Sequence, residues 1–560
     1  MDYELNTVSI RTIPEEECLR LLFYHGGKRF DFNRKKREET KKTLQRISLK
    51  LQPKQNKKKS KIVEGSESLS NVQVKKCNVI LVDDKENLID ENKTNEEAFV
   101  NGNILLINNL SYKLVLNPPS VLQLSLPTSI MAGFFVFPDV QLEFCNVKES
   151  KFYWYLSSHR DNKSKDNVWK LVGEDFTYLP SVNDISYYIK CLCIPGGVAD
   201  DVCPEEVVSP EPISAGPGIC LFDQRHLYTQ AFLGPNEFRV ASYNILADVF
   251  AESDFAKEVL YPYCPEYVIN SSYRRQLIIK ELIGYHADII CLQECQSSMY
   301  ETYLKPILEM NGYNGYLTLK LGEMPEGEAL FFNSQKFTHE KDWSISVRDA
   351  LYFECNKELL SELVEHPAFL EAVHKKTAVG QIHLLREKSE TERLLVILNT
   401  HLYYKRHSQR IRLIQISVLM NYLHSVLQEE RKDVSVLLCG DLNSLAEDEL
   451  LRYLNGEKID SANPVWCINE GDGLLVRDNN MFTTNLTCPI PLQNKSGFPP
   501  FTSYVPHCKT TLDYVFSVDK IERTGFIPLP KASDIDPYVG LPCVVSGSDH
   551  LALVLDLMWK

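Results

Sequence analysis

No apolar run in this 560-residue chain reaches the roughly 20 residues that a helix needs to cross a bilayer, which excludes a membrane-spanning class. CxxC sets are missing too. The 16 cysteines are scattered, with CLC at 191–193 and CLQEC at 291–295 the only close groups. Neither a zinc knuckle nor a secreted disulfide framework is indicated, and a reducing compartment is expected. The first residues, MDYELNTVSIRTIPEEE, lack both an apolar signal core and the Arg-rich, acid-poor composition of a transit peptide. Basic residues are in deficit, with a net charge of −14. They concentrate in residues 28–61, where 15 Lys or Arg against 3 Asp or Glu make a local +12 and leave the remainder near −26. That block reads as a solvated basic helix with a lysine-rich tail, KQNKKKSK, which could also touch RNA backbone. The acidity elsewhere argues against a broad nucleic-acid footprint, so binding is expected to be local to a cleft.

What remains is ordinary soluble composition, 44% hydrophobic and 24% charged, long enough for two or three domains. Residues 1–115 predict a small basic α+β module of ubiquitin-like type. VSIRTIP and LRLLFYHGGKRFDF form strands around a Gly-Gly turn, then come a basic helix and the strands VILVDD and NILLINNLSYKLVL. Residues 116–208 alternate as short strands with Trp154 in mid-strand, the pattern of an immunoglobulin-like sandwich without its disulfide. A Pro/Gly-rich connection follows at 209–235, and residues 236–560 predict the catalytic domain. Within it, residues 349–375 carry helical periodicity and predict an inserted helical pair beside the cleft.

Six strand-like runs in that last region carry a polar residue where burial would make it costly. They are FRVASYNIL with Asn244, DIICLQE with Glu294, LLVILNTHLY with His401, VLLCGDLNS with Asp441 and Asn443, LDYVFSV with Asp513, and SGSDHLALVLDL with Asp549 and His550. Any one of these, taken alone, is more often a turn former or helix cap. Six together supply what a metal-dependent phosphodiesterase needs. Glu294, Asp441 and Asn443 offer oxygen ligands to a hard divalent cation such as magnesium. Asp441, Asp513, Asp549, His401 and His550 can share activation of water, stabilisation of phosphoryl charge and help for the leaving oxygen.

SYNILAD, ICLQE, NTHLY, CGDLNS, LDYVF and SDHLAL resemble the signature segments of the exonuclease/endonuclease/phosphatase superfamily, in the branch that holds the poly(A) deadenylases. LYPYC at 260–264, ISAGPGICLFDQRHLYT at 213–229 and LPTSIMAGF at 126–134 are similar to its 2′,5′-phosphodiesterase 12 subfamily. The resemblance implies a four-layer α/β sandwich, two packed mixed sheets flanked by helices, preceded by β-rich accessory modules. It also implies magnesium or manganese, one or two ions, on Glu294 with Asn244, Asp441 and Asn443 nearby. Asp441 would handle the proton of the attacking water, Asn443 would orient it, and His401 and His550 would contact the scissile phosphate, with Asp549 or Asp513 behind His550.

The implied substrates are 2′,5′-linked oligoadenylate and 3′ poly(A) tails of RNA, with release of 5′-AMP and with neither DNA nor membrane as partner. The implied compartment is the mitochondrial matrix, whereas the acidic first residues fit the cytoplasm. Deadenylase-type members clamp an adenine between a Phe and a Pro, and the matching places here hold Cys508 and Arg406. Tyr403, Tyr404 and His507 are near enough to substitute, so strict adenine preference is in question. A phosphatase of the same superfamily, acting on phosphoinositides or 2′,3′-cyclic phosphates, and a non-catalytic RNA-binding protein stay open at this point.

Overall fold

The computed structural model describes residues 6–52, 77–160, 168–197, 202, 204–430, 433–466 and 485–560. The lysine-rich tail at 54–61 lies outside them. The chain divides into two compact units. One comprises residues 1–126, 138–176 and 189–208, and the other residues 127–137, 177–188 and 209–560.

In the first unit a six-stranded sheet runs in the order Lys28–Lys35, Cys18–His25, Thr7–Arg11, Leu110–Leu116, Ile104–Ile107, Val79–Val82. Gly26 and Gly27 turn the first hairpin with φ of 56° and 68°, the left-handed region that glycine enters without steric cost. The helix Thr40–Leu51 buries Leu44 and Ile47. They share a core with Val8, Leu21 and Leu105, one from each of three strands of the sheet. A four-stranded sheet orders Lys170–Gly173, Lys151–Ser157, Tyr188–Ile194 and Glu205–Val208. Trp154 is fully buried there and donates from Nε1 to the Asp175 carbonyl at 2.8 Å.

The second unit is an α/β sandwich of two mixed sheets. One orders Tyr313–Leu319, Glu326–Asn333, Ile289–Gln296, Glu237–Asn244, Leu553–Trp559 and Ile521–Phe526. The other orders Phe337–Asp342, Val379–Glu387, Leu394–His401, Val434–Asp441, Asp513–Ser517 and Gln493–Asn494. The sheets meet through Val240, Ile289, Cys291, Leu555, Leu395, Ile397, Leu437, Cys439 and Val515, all fully buried. On the outer face of the second sheet the long helix Gln409–Glu430 packs Leu413, Ile416 and Leu423 against Ile382, Leu398 and Leu438.

The predicted helical segment forms Lys357–Val364 and Pro367–His374. From Pro127 on, LPTSIMAGF belongs to this unit, Met131 N–H donating to Gln276 Oε1 at 3.1 Å. Within DQRHLYT, Arg225 is buried and donates to the carbonyls of Pro528 and Ala552 at 3.1 and 2.7 Å, so this stretch is built into the sandwich. Among the described residues, no helix is long and apolar enough to cross a membrane.

Candidate active site

Each strand of the sandwich presents every second residue to the interior, and at one rim those rows turn from apolar to polar. Val240 leads through Ser242 to Asn244, Ile397 through Asn399 to His401, Cys439 to Asp441, and Val515 back to Asp513. Register then sets them side by side. His401 pairs with Asp441 across parallel strands, and Asp441 with Asp513 across antiparallel ones. Beneath them Gln293 Nε2 donates to Asn399 Oδ1 at 2.8 Å, and Asn399 Nδ2 to the Leu292 carbonyl and Gln381 Oε1 at 3.0 and 3.1 Å, a polar layer joining the sheets.

Glu294 breaks the alternation. By parity with Gln293 it should point away from the interior, but it lies at a register shift between Leu292 and Cys295 and has φ of 54°. Such a bulge re-aims a side chain, and a left-handed glutamate is a strained residue of the kind found at functional sites. Its carboxylate accepts from Asn244 Nδ2 at 3.0 Å and from Ala247 N–H at 3.0 Å. Asn244 Nδ2 also donates to Asp441 Oδ2 at 3.1 Å, tying the two acids together.

His550 sits ahead of the last strand rather than on it, between Asp513 and Asp441. Its Nδ1 lies 2.8 Å from Asp513 Oδ2 and its Nε2 3.7 Å from Asp441 Oδ2. Burial alone would lower its pKa, but Asp513, Asp549 and Asp441 together raise it well above the ordinary imidazole value. The hydroxyl of Thr502 donates to the same Asp513 oxygen at 2.6 Å. Burial and the neighbouring Asp513 push Asp441 up to about 7, against the pull of His550, Asn244 and Asn443.

Asn443 has φ of 49°, tolerable for Asn, and donates from Nδ2 to the Leu402 carbonyl at 3.0 Å. Asp549 accepts from the Tyr261 hydroxyl at 2.9 Å. His401 Nε2 is 3.6 Å from Asp441 Oδ2 and its Nδ1 4.0 Å from Glu294 Oε1. Burial, with Lys320 and His550 nearby, holds His401 well below the usual histidine range.

These groups open on a cavity of about 650 Å³, lined by Glu294, His401, Asp441, Asn443, Asp549, His550 and Tyr403. Phe250, Phe255, Tyr404, Lys375 and Lys376 also line it. Asn244 lies buried behind Glu294 and Asp441. Arg406 and Cys508 are exposed and are not among the lining residues. Lys320 and Glu328 converge on His401, Lys320 Nζ lying 3.1 Å from His401 Nδ1 and Glu328 Oε1 accepting from His401 N–H at 3.2 Å, and Glu326 Oε1 pairs with Lys320 Nζ at 3.1 Å. Family resemblance sets the loop GEMPEGEALFF near the active face, but the sequence assigns no role to Glu326 and does not point to Lys320 or Glu328.

Asp441, Asp513 and His550 form a cluster close enough to share a cation. Together with Glu294 the acids make an oxygen-dominated donor set, and Asp513 Oδ1 is buried with no hydrogen-bond partner among the described residues. That chemistry fits a hard divalent ion.

A family model described as the Endonuclease/Exonuclease/phosphatase family matches residues 241–550, spanning every motif residue of the cluster. The chain belongs to that family. A second model, the N-terminal domain of 2′,5′-phosphodiesterase 12-like proteins, matches residues 118–214. Human 2′,5′-phosphodiesterase 12 is 34% identical over 492 residues, covering 85% of this chain and 79% of the human one. The 3′-5′-exoribonuclease subunit Ccr4 of the Schizosaccharomyces pombe CCR4-Not complex is 27% identical over 356 residues, 58% of this chain and 49% of that one. A solved structure of ANGEL2, titled a 2′,3′-cyclic phosphatase, aligns over 58% of this chain and 96% of its own, at 24% identity and a TM-score of 0.47. Membership of the endonuclease/exonuclease/phosphatase family, in its 2′,5′-phosphodiesterase 12 branch, makes the chain a hydrolase of the nuclease kind, and enzymes of this family use divalent metal ions.

Proposed function

We propose that the chain is a magnesium-dependent phosphodiesterase that shortens oligonucleotides from their 2′ or 3′ end, acting on 2′,5′-linked oligoadenylate and on 3′ poly(A) tails of RNA and releasing 5′-AMP. The observation that carries this reading is the convergence of Glu294, Asn244, Asp441, His401 and the His550–Asp513 pair on the cavity. Glu294, with the oxygens of Asp441 and Asn443 beside it, would hold the ion. Bound there, the ion supplies charge neutralisation at the phosphoryl oxygens and a more acidic water.

The chain's own residues do the rest. Asp441, a carboxylate at the cavity wall beside Glu294, accepts the proton of the attacking water. His550, kept charged by Asp513, donates to a phosphoryl oxygen as negative charge grows. Asn443 orients the water. The water oxygen bonds to phosphorus, and the bond from phosphorus to the 2′ or 3′ oxygen of the preceding nucleotide breaks; that oxygen takes up a proton from solvent and leaves as a hydroxyl, and the phosphate stays on the released 5′-nucleotide.

The test is product analysis with the purified chain on 2′,5′- and 3′,5′-linked triadenylate, each with magnesium or with EDTA. Magnesium-dependent 5′-AMP from either linkage supports the proposal, and the ratio of rates states the linkage preference. No 5′-AMP from either substrate, with magnesium present, overturns it.

A further inference from the structure

Lys320 is almost wholly enclosed beside the catalytic cluster. Its Nζ reaches His401 Nδ1 at 3.1 Å and Glu326 Oε1 at 3.1 Å. Glu326 and Glu328 alternate on the strand Glu326–Asn333, and so project from one face of the hairpin whose other strand leads into Lys320. Lys320 N–H donates to the Glu326 carbonyl at 2.9 Å, which closes that hairpin and fixes where the lysine leaves it. Both glutamates are buried, and each has one oxygen, Oε2, with no hydrogen-bond partner among the described residues. Two buried carboxylates with spare acceptors are costly unless a cation is kept among them. Burial works against the charge on Lys320, but Glu328, Glu326 and Glu294 outweigh it and raise its pKa.

The consequence falls on His401. A neutral imidazole carries one proton, and the partner of one nitrogen decides which nitrogen holds it. With Glu294 at 4.0 Å from Nδ1, that nitrogen would ordinarily keep the proton. A lysine ammonium has donors only, so a contact to Nδ1 requires that nitrogen to accept.

We propose that Lys320 is a positioning residue for the phosphodiester hydrolysis proposed above: it donates to His401 Nδ1, so that His401 carries its proton on Nε2, the nitrogen 3.6 Å from Asp441 and facing the cavity. Glu326 is the ion-pair partner that retains the lysine, while Glu328, whose carboxyl burial pushes up to about 8, holds the His401 backbone. His401 is thereby a hydrogen-bond donor to a phosphoryl oxygen and not a base. The kinetic part of this inference rests on the proposed function; the placement of the proton does not.

The experiment uses the full chain with 15N-labelled histidine and long-range 15N–1H correlation, His401 being assigned with His401→Gln. Nδ1 is expected to resonate as an unprotonated nitrogen and Nε2 as a protonated one. Lys320→Met keeps the length of the side chain and removes the donor. It should move His401 toward the Nδ1-protonated pattern and lower kcat on triadenylate about 10- to 100-fold, with KM changed less than about 3-fold. Because Lys320→Met strands two carboxylates and could unfold, Lys320→Met/Glu328→Gln is measured beside it and should show the same nitrogen shifts. Lys320→Arg, which retains a donor, should keep the wild-type pattern. An Nδ1-protonated His401 in the wild type, or an unchanged pattern in the folded double variant, overturns the proposal. A wild type with no triadenylate activity but the stated nitrogen pattern would sink the substrate assignment and leave the role of Lys320 standing.

Discussion

Asp513 holds His550 at 2.8 Å, while Asp441, its register partner on the adjacent strand, stands 3.7 Å from the other nitrogen of the same ring. The difference divides the two acids. Asp513 commits one oxygen, Oδ2, to both the imidazole and the Thr502 hydroxyl, whereas Asp441 lines the cavity and is the acid whose proton affinity burial raises. Asp513→Asn should therefore act through His550. Its folded pKa is raised, so the stability it contributes is complete below about 6.5 and is lost as pH rises through the folded value. Without the carboxylate that value falls. We expect the alkaline limb of the kcat profile to move to lower pH, with kcat down about 100-fold or more at neutral pH. An alkaline limb that stays in place in Asp513→Asn would detach His550 from the chemistry.

Asp441 and Asn443 are separated by a second experiment. Asp441→Asn preserves size and removes the proton acceptor, so it should cost about 10²- to 10⁴-fold in kcat. Asn443→Ala removes an amide that touches the Leu402 carbonyl and lines the cavity, and should cost less. Single-turnover rates in the opposite order would exchange their roles.

Much of this site was legible because it continues the core. Asp441 and Asp513 fall two residues beyond the core positions Cys439 and Val515, Asn244 and His401 four beyond Val240 and Ile397, and β alternation leaves them no direction but inward. Glu294 was legible by place but not by direction, since its inward turn needs a bulge and a left-handed backbone that no residue type announces. Lys320 was not legible at all. A lysine looks exposed until two glutamates from the returning strand are seen beside it. The assignment of LPTSIMAGF was likewise beyond a linear reading, because its packing against Gln276 joins residues 145 apart.

The backbone at Glu294 gives a test that separates function from stability. Glu294→Gly relieves the left-handed strain and removes the carboxylate, whereas Glu294→Ala removes the carboxylate and keeps the strain. Both should lose more than about 100-fold in magnesium-dependent turnover, beyond what loss of a supporting hydrogen bond costs. The glycine variant should be the more stable of the two by about 0.5–1 kcal/mol in urea unfolding. Near-normal turnover of either at saturating magnesium would remove Glu294 from the ligand set.

Gly440 lies one residue before Asp441 on its strand, and a Cβ there would clash with the Thr400 carbonyl oxygen of the neighbouring strand. Thr400 immediately precedes His401, so Gly440→Ala must push apart the two strands that hold His401 and Asp441 in register. The expected cost is about 1–3 kcal/mol of stability, with a fall in kcat that a neutral core substitution of equal stability does not show. A urea midpoint equal to wild type would mean that the strands already stand further apart.

The base should be read by Tyr404. Its ring is 68% exposed at the cavity wall, edge-on to Tyr403 at 5.3 Å, while the face of Tyr403 is covered by Lys376 Nζ at 3.9 Å. Stacking of a base on an aromatic is worth about 1–3 kcal/mol, or about 5- to 150-fold in affinity. Tyr404→Ala should thus raise KM for triadenylate within that range and leave kcat within about 3-fold, the pattern of lost uniform binding. Arg406 and Cys508, which the resemblance would set at the deadenylase clamp, are exposed and do not line the cavity. Arg406→Ala and Cys508→Phe are expected to shift KM by less than about 2-fold, well below the cost of one lost stacking contact. Measuring KM for A-ended and U-ended trinucleotides across the three variants decides where the base lies. A larger effect from Arg406→Ala or Cys508→Phe than from Tyr404→Ala would return it to the clamp positions and leave Tyr404 as an exposed ring with no part in recognition.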